Sequence, residues 1–421
     1  MLLQHATTLL TRLLADTGPA DKIIRRYFHE ERQQITDRRW LAETVYGILR
    51  HKRSLEYSLI HSGQPTSGDR LLASYLALHQ GWSGRALTEG GYSGDATELL
   101  NGLRRVDRNN LPLAVELDLS DELCDLLLTQ YGEGETRALA RSLQQAPTID
   151  LRVNTLKTTP EALIQTLQAE GIVAHATPYA PTGVRLHNRR ALFQEASFQT
   201  GLYELQDEGS QLVSLLLETK PREHVVDFCA GAGGKTLHLA VLMENRGQII
   251  ACDVSKKRLD DLRTRLKRAG VDNVHPQLIS DENDRCMKKY HGKMARVLID
   301  APCSGSGTLR RNPDMKWRPL NLESLIQRQQ SILAAAAPLV KPGGRLVYAT
   351  CSLLKEENEE VITDFLAKQT AFRLIPVAAI LARLNINLGD HAEGTLLRLL
   401  PHHHATDGFF AAVLERQIGL S

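Results

Sequence analysis

The stretch "DFCAGAGGKT", residues 227–236, decides how the second half of this chain folds. Its first residues close the candidate strand "HVVDFCA", so its glycines lie in the turn that follows a strand. The ending GKT matches the phosphate-binding loop G-x-x-x-x-G-K-[ST], but that pattern needs a glycine at position 229, where the chain has Cys229. The mismatch argues against an ATPase and leaves the ligand of this turn to the rest of the chain.

The order of the predicted elements indicates the fold class. From residue 207 onward, charged amphipathic helices alternate with candidate strands, which are "HVVDFCA", "GQIIACD", "HPQLISD", "ARVLIDAP", "GRLVYATC" and "GFFAAVLER". This alternation predicts an α/β fold with a doubly wound, Rossmann-like parallel sheet over residues 207–421. Apolar residues at three-to-four spacing predict an all-helical domain over 1–147. Extended segments around one predicted helix indicate a small α+β linking domain over 148–206.

Composition and cysteine usage favour a protein of the cytoplasm. No apolar run is long enough for a membrane helix, and the N-terminal "MLLQHATTLLTRLLADTG" predicts an amphipathic helix, not a signal peptide. The six cysteines show no CxxC pairing, which is typical of reduced thiols and argues against a structural zinc site. We therefore expect a protein that binds neither metal nor membrane, and a monomer is the default expectation, which the sequence does not test.

The charge is unevenly distributed along the chain. Nine Lys/Arg against four Asp/Glu give 9 − 4 = +5 over residues 22–53, and sixteen against nine give 16 − 9 = +7 over 252–318. Residues 95–135 carry three against ten, 3 − 10 = −7. Clustered basic charge indicates a nucleic-acid partner, although a solvated helix face is the commoner explanation of such a run.

Two aspartates extend the predicted site beyond the glycine-rich turn. Asp253 ends the next candidate strand at a distance of 253 − 233 = 20 residues from Gly233, the spacing at which an acid meets the hydroxyls of a ribose. Asp281 ends the third candidate strand, where it is interpreted either as a partner of an adenine amino group or as a helix cap. These signals alone fit NAD as well as other nucleotides.

Two cysteines follow later strands of the predicted sheet. Cys303 lies in "IDAPCSGSGTLRRNPDMKW" and Cys351 in "YATCSLLKEENEEV", so we expect both at the sheet edge that carries the glycine-rich turn. A lone cysteine there is usually a small buried hydrophobe, but a pair at two strand ends favours a reactive site.

A pair of thiols with an acid suits methylation of cytosine carbon 5. A thiolate that adds to carbon 6 makes the ring an enamine able to attack an electrophilic methyl group. A second group then assists elimination, and a carboxyl group shares a proton with the polar edge of the base. Asp300, beside Cys303, is placed for that last role. The spacing does not show which of the two cysteines is the nucleophile.

The motifs "DFCAGAGGKT", "DAPCSGSGTLRRNPDMKW", "ATCSLLKEENEEV" and "TDGFFAAVLER" together resemble the RNA 5-methylcytosine methyltransferases of the RsmB/Sun and NSUN family, above all the bacterial RsmB-type branch that acts on 16S ribosomal RNA. The resemblance covers roughly residues 148–421 and implies S-adenosylmethionine as cofactor, Cys351 as nucleophile and Cys303 as the group that assists product release. It places the cofactor contacts on Cys229, Ala230, Gly231, Ala232, Gly233, Gly234, Lys235, Asp253, Asp281 and Asp300. Ala232 replaces the usual proline of the family, which makes the turn less pre-set and is expected to affect cofactor affinity.

The N-terminal region is similar to the NusB-type RNA-binding domain of the RsmB branch through "DRRWLAETVYGILRHKRSLEY", and "LRVNTLK" and "YELQDEGSQLV" resemble the linking domain of the family. RNA is therefore the expected partner, with ribosomal RNA first and transfer RNA as the alternative. A target cytosine must lie in a loop or be flipped out of a duplex. A non-catalytic RNA-binding or assembly factor is the competing class, against which the retained Asp300, Cys303 and Cys351 argue.

Two further features remain open. Trp317 is either a neighbour of the RNA or an anchoring core residue. The run His402–His404 is expected in a solvated or RNA-facing loop, because adjacent side chains of an extended chain point to opposite faces and do not converge on one metal ion.

Overall fold

The computed structural model describes the chain except for residues 1, 17, 33, 109, 189, 191, 390–393 and 420–421. It forms two compact units. The helical unit comprises Met1–Ala146 together with the segment Thr308–Leu320, and the sheet unit comprises Pro147–Gly307 together with Asn321–Ser421.

The helical unit confirms the predicted helices. The N-terminal helix buries Leu3, Leu9 and Leu10 on one face at three-to-four spacing, as an amphipathic helix does. The stretches "SGQPTSGD" and "TEGGYSGD" contain breaks between consecutive helices. The helices are α1 Leu2–Ala15, α2 Ala20–Glu30, α3 Arg38–Arg50, α4 Lys52–His61, α5 Gly68–His79, α6 Gly84–Glu89, α7 Ala96–Arg105, α8 Leu113–Glu116 and α9 Asp121–Gln144, which is kinked at Gly132.

The segment Thr308–Leu320 follows the loop that contains Pro302 and Cys303, and it belongs to the helical unit. Its short 3₁₀ helix Pro313–Trp317 is held by side-chain bonds to backbone oxygens: Trp317 Nε1 donates to Leu49 O at 2.8 Å, and Lys316 Nζ donates to Arg50 O at 3.3 Å. Trp317 therefore helps to hold this segment in the helical unit, but its ring is only half-buried, and its place near the RNA stays a prediction.

The first part of the sheet unit is a small antiparallel sheet of order β2-β3-β1-β4, formed by β1 Ile149–Val153, β2 Ala174–Ala176, β3 Gly183–Leu186 and β4 Tyr203–Leu205. The predicted helix is present as α10 Pro160–Ala169, capped by the Thr159 side chain, which accepts a hydrogen bond from the amide of Ala162. α11 Ala196–Gln199 precedes β4. The boundaries at 148 and 207 stay predictions.

The large sheet carries the glycine-rich turn. Its strands are β5 His224–Asp227, β6 Gln248–Asp253, β7 Val274–Leu278, β8 Met294–Asp300, β9 Val340–Thr350, β10 Phe372–Ile375, β11 Leu396–Leu399 and β12 Phe409–Arg416, in the order β10-β12-β9-β8-β5-β6-β7 with β11 on β12. β5 lies between β6 and β8, so the winding of the sheet reverses at the strand that precedes the turn. Ligands of doubly wound sheets bind at such a reversal.

The α/β prediction is confirmed, with one change in strand direction. β5 to β9 are parallel, but β12 runs antiparallel to β9, β10 and β11, so the sheet is mixed. The connection from β11 to β12 is too short for the crossover that parallel neighbours need. Apolar side chains fill both faces of the sheet. The covering helices are α12 Glu208–Leu215, α13 Gly234–Leu242, α14 Lys256–Ala269, α15 Leu322–Ala336, α16 Glu359–Lys368 and α17 Val377–Arg383.

Two local predictions are wrong. β7 ends at Leu278, so Asp281 lies in the following turn and does not end the strand. His402–His404 do not form a loop, because they lie in the one-turn helix α18 Pro401–His404, in which His404 is buried. Pro401 at the first position, with its fixed φ, favours this helical turn. Among the described helices, none combines the length and apolar character required to cross a membrane.

Candidate active site

The glycine-rich turn connects β5 to α13 and contains the predicted cofactor residues Cys229 to Lys235. Gly233 has a φ of +85°, and a Cβ atom there would lie 2.1 Å from Leu262 Cδ1, so this position requires glycine. At Gly231 and Gly234 an added Cβ would meet nothing within 4 Å. The turn thus presents its backbone to open space, as the close approach of a ligand requires.

Two arginines hold the carbonyl groups of this turn. Arg265 on α14 donates from Nη1 to Ala232 O at 2.7 Å and from Nη2 to the carboxylate of Glu204 at 2.9 Å. Arg152 on β1 donates to Gly234 O at 2.5 Å and is fully buried, which lowers its pKa to about 9. At the position where the family has proline, the turn is therefore fixed by a charged hydrogen bond from a neighbouring helix.

Asp253 lies beside this turn, and the ribose contact predicted from its spacing stays a prediction. One carboxylate oxygen accepts the amide of Gly231 at 2.8 Å, and the other accepts the amide of Ser255 at 2.7 Å. The carboxylate thus orients the turn, and each oxygen retains a lone pair for a further donor.

Asp281 is not a helix cap, which was the alternative interpretation of this residue. Its Oδ1 accepts the amide of Asn283 at 2.7 Å, which forms a local turn. Asp284, three residues later, caps the 3₁₀ helix Arg285–Tyr290, and bonds from the amides of Cys286 and Ser280 lower the pKa of Asp284 to about 2. Asp281 is exposed to solvent.

Asp227, at the end of β5, and Cys229, in the turn, both have raised pKa values. Burial raises the pKa of Asp227 to about 7, and its Oδ2 accepts the hydroxyl of Thr236 at 2.6 Å. Burial also raises the pKa of the Cys229 thiol well above its ordinary value. Cys229 is therefore a neutral part of the turn and not a thiolate.

Lys235 and Asp300 form an ion pair at the ends of the central strands. Lys235 Nζ lies 2.7 Å from Asp300 Oδ2, with about a third of the Asp300 side chain exposed. The same ammonium lies 5.2 Å from the centroid of the Phe409 ring. Lys235 therefore binds a carboxylate at the sheet edge, unlike the lysine of a phosphate-binding loop.

The structure brings Cys303 and Cys351 together. Their Sγ atoms lie 3.4 Å apart, directly after β8 and β9, which confirms that both cysteines emerge at one edge of the sheet. The hydrogen bond to the Cys351 sulfur, together with burial, raises the pKa of Cys303 well above its ordinary value. Burial and this hydrogen bond therefore favour the protonated form of the Cys303 thiol.

A buried carboxylate positions both cysteines. Glu357 accepts the amide of Ser304 at 2.8 Å and the hydroxyls of Ser304 and Ser352 at 2.5 Å. These serines directly follow the two cysteines, so one side chain fixes the loops that carry both sulfurs. Gln329 Nε2, on α15, also donates to Glu357 at 2.9 Å.

Ser304, Ser352 and Glu357 lie within the two cysteine motifs, but no role was predicted for them from the sequence. A Cys-Ser pair occurs in both motifs, and "KEEN" follows the second pair at short distance. That repetition is the signal from which a shared partner of the two serines could have been inferred.

The backbone of the motif "TDGFFAAVLER" packs closely against the loop that follows Cys303. Gly307 donates to the carbonyl of Cys351 at 2.9 Å, and Gly408 donates to Gly307 O at 2.8 Å. A Cβ on Gly307 would lie 2.3 Å from Gly408 O. These two glycines allow the strand that begins at Phe409 to approach the loop that contains Pro302 and Cys303.

Two family profiles match this chain. The profile of the 16S rRNA methyltransferases RsmB/F matches residues 214–415, and that of the RsmF/B-like, ferredoxin-like domain matches residues 122–192.

Individual proteins match over most of the chain. The probable ribosomal RNA small subunit methyltransferase B of Synechocystis is 34% identical over 90% of this chain and 91% of its own length. The crystal structure of PH0851 superposes with a TM-score of 0.80 at 28% identity, over 99% of this chain and 98% of that one. NSun6 from Pyrococcus horikoshii, solved with SFG, superposes with a TM-score of 0.63 at 25% identity, over 70% of this chain and 98% of that one.

These matches confirm S-adenosylmethionine as the cofactor, since SFG is an analogue of it. The geometry fits this molecule: the backbone at Gly231 and Gly234 faces open space, and the carboxylate of Asp253 lies beside it. When bound, S-adenosylmethionine supplies an electrophilic methyl group.

Proposed function

We propose, since the chain belongs to the ribosomal RNA small subunit methyltransferase B family, that it methylates carbon 5 of a cytosine in small-subunit ribosomal RNA. The observation that carries this proposal is the pair of sulfur atoms 3.4 Å apart at the ends of β8 and β9, on the sheet edge that carries the cofactor turn. Enzymes that methylate oxygen or an exocyclic amine have no chemical need for two adjacent thiols.

In the proposed reaction Cys351 acts as the nucleophile. Its sulfur adds to carbon 6 of the cytosine, and carbon 5 then accepts the methyl group. The raised pKa of Cys303 supports this division, because a neutral Cys303 thiol donates a hydrogen bond to the neighbouring sulfur and stabilises it as a thiolate. Asp300 would share a proton with the polar edge of the base, while Lys235 keeps its carboxylate in place.

Elimination completes the proposed reaction. Solvent water takes the proton from carbon 5, the electron pair of that C–H bond restores the double bond between carbons 5 and 6, and the bond between carbon 6 and Cys351 breaks to regenerate the Cys351 thiolate. We assign the assistance of this step to Cys303, whose sulfur lies within contact distance of the Cys351 sulfur.

A trapping experiment tests these roles. RNA containing 5-fluorocytosine, incubated with the protein and S-adenosylmethionine, should give a covalent adduct on a denaturing gel, because fluorine cannot leave as a proton does. Cys351→Ser should abolish the adduct. Cys303→Ala should form a persistent adduct with ordinary RNA. An adduct with Cys351→Ser would contradict the nucleophile assignment, and no persistent adduct with Cys303→Ala would contradict the release role.

The substrate is tested separately from the chemistry. Bisulfite sequencing of total RNA from cells with and without the gene should show one or more 5-methylcytosines in small-subunit ribosomal RNA that depend on the gene. Dependent sites in transfer RNA would replace ribosomal RNA as the substrate. Methyl transfer to no cellular RNA would support a non-catalytic assembly factor.

A further inference from the structure

The helical unit contains a groove lined in part by arginines, although the surrounding sequence, residues 95–135, carries a net negative charge. The groove has a volume of about 740 Å³ and runs between the end of α5 and the end of α7. Its lining residues are Ala77, Leu78, Gly81, Trp82, Ser83, Gly84, Leu100, Leu103, Arg104, Arg105, Val106, Asp107 and Arg108. We call it the arginine groove.

Three guanidinium groups of this groove are exposed and available. Arg104, Arg105 and Arg108 are exposed, and no acidic side chain among the described residues pairs with any of them. The one carboxylate in the lining is Asp107, which accepts the side-chain amide of Asn110 at 2.9 Å. The lining thus carries three positive charges against one negative charge.

Of the ten acidic residues counted over residues 95–135, only Asp107 lines the groove. Asp121 pairs with Arg53 at 2.6 Å, and Glu116 pairs with Arg137. Asp118 is buried, where it accepts the amide of Ser54 at 2.8 Å. The three basic residues counted in that range are Arg104, Arg105 and Arg108, so folding separates the positive charge from the negative charge.

The basic run at residues 22–53 is in part internally neutralised. Arg39 pairs with Glu43 at 3.0 Å, and Lys52 pairs with Glu56 at 2.9 Å. Arg25 lies 3.5 Å from Asp21. Cations with carboxylate partners release fewer counterions from a phosphate backbone than free cations do. Because Arg104, Arg105 and Arg108 have no acidic partner among the described residues, we consider them better candidates for phosphate contacts than the paired cations of residues 22–53.

The groove also has an apolar floor. Leu103 is buried, and the half-buried Trp82 is braced by Trp40, with ring centroids 6.4 Å apart. Arginines on phosphates beside an aromatic ring are the combination that binds single-stranded nucleic acid, because any base can stack on such a ring.

We propose that the arginine groove binds the sugar-phosphate backbone of a single-stranded segment of the RNA substrate. Arg104, Arg105 and Arg108 contact phosphates, and Trp82 offers a stacking surface to a base. The proposal rests on the proposed function, since it specifies how the RNA of that reaction is held. It adds a binding surface on the helical unit, remote in sequence from the motifs of the sheet unit.

The test compares two triple variants of the full chain with equal loss of charge. The first is Arg104→Ala/Arg105→Ala/Arg108→Ala, and the control is Arg25→Ala/Arg39→Ala/Arg85→Ala, which removes arginines paired with acids. The dissociation constant for a single-stranded oligouridylate is measured over a range of KCl concentrations. For three lost phosphate contacts, the slope of log K against log [KCl] should flatten by about 2 in the groove variant. The control should keep the wild-type slope.

Methyl transfer provides the second measurement. The groove variant should show KM for RNA raised about tenfold or more, with kcat at saturating RNA unchanged. A wild-type salt slope and KM in the groove variant would overturn the proposal. Polyglutamate binding that the groove substitutions weaken, with RNA binding intact, would overturn it in favour of an acidic protein partner. A wild-type protein that methylates no RNA contradicts the proposed function, which is a different result.

Discussion

At the scale of single residues, the reactive geometry depends on a side chain that takes no part in the proposed chemistry. Glu357 is completely buried and binds the serines that follow Cys303 and Cys351. Its hydrogen bonds determine where the two sulfurs meet. Misplacement of a reacting group by about 1 Å costs on the order of 100-fold in rate.

We expect Glu357→Gln to lower the rate of methyl transfer by about 100-fold, because a glutamine amide cannot accept all of these hydrogen bonds. The dissociation constant for S-adenosylmethionine should not change, since the side-chain hydrogen bonds of Glu357 go to Ser304, Ser352 and Gln329 and not to the glycine-rich turn. Single-turnover transfer of radioactive methyl groups and calorimetric titration measure the two quantities. The exposed Glu360→Gln is the matched control, and a Glu357→Gln enzyme with the wild-type rate would contradict the positioning role.

At the scale of elements, α14 fixes the glycine-rich turn at two points. Leu262 occupies the space that a side chain at position 233 would need, and Arg265 binds the carbonyl of Ala232. The sequence predicts weaker pre-ordering of the turn where Ala232 replaces the proline of the family. The hydrogen bond from Arg265 supplies a tertiary restraint at that position.

We expect Arg265→Met to raise the dissociation constant for S-adenosylmethionine about tenfold, because a charged hydrogen bond contributes on the order of 1.5–3 kcal/mol. Arg265→Lys, which keeps the charge but cannot bridge Ala232 and Glu204 equally well, should fall between wild type and Arg265→Met. Isothermal titration measures both. Arg263→Met on the same helix, whose arginine pairs with Asp260 in solvent, is the control. Affinity within twofold of wild type for Arg265→Met would contradict this role of Arg265.

At the scale of the whole molecule, the helical unit includes one segment that is distant in sequence from the rest of that unit. The segment Thr308–Leu320 follows the loop of Cys303 and lies in the helical unit, where Lys316 is almost completely buried. Burial lowers the pKa of Lys316 to about 8, with the positive charge of Arg50 acting in the same direction. The fold of this unit is therefore linked to pH through a lysine of the catalytic half of the sequence.

We expect the free energy of unfolding of the helical unit to rise between pH 8 and pH 10.5, relative to a Lys316→Met variant. In this window the unfolded chain binds the lysine proton more tightly than the folded chain, so raising the pH favours folding. From the ordinary value of 10.5 to about 8, the difference amounts to about 3 kcal/mol.

Urea titrations at a series of pH values measure this effect. Tryptophan fluorescence reports on the helical unit, because all three tryptophans of the chain, Trp40, Trp82 and Trp317, belong to it. Titrations of tyrosines and cysteines are common to both proteins and cancel in the difference. A difference between wild type and variant that stays constant from pH 7 to pH 10.5 would contradict the linkage.

Much of the fold followed from the order of residues along the chain. The period of the apolar residues located the helices and the strands of the large sheet, and the glycine-rich turn placed the cofactor at the end of β5. The short edge strands β10 and β11 and the direction of β12 did not follow, because strand pairing depends on partners distant in sequence. Asp281 and His402–His404 were misplaced because the ends of elements are set by local hydrogen bonds that a periodic pattern does not contain.

The sequence by itself determined the kind of chemistry, since the residue types at the strand ends are a local property of the chain. Cys303, Cys351 and Asp300 were identifiable from the motifs alone. Only the tertiary structure decided how these groups are held, through the carboxylate of Glu357, the arginines on the turn and the separation of Arg104, Arg105 and Arg108 from their acidic neighbours. The physical reason is that hydrogen bonds and charge neutralisation act over a few ångströms in space, whereas the groups they join lie tens to hundreds of residues apart in the chain.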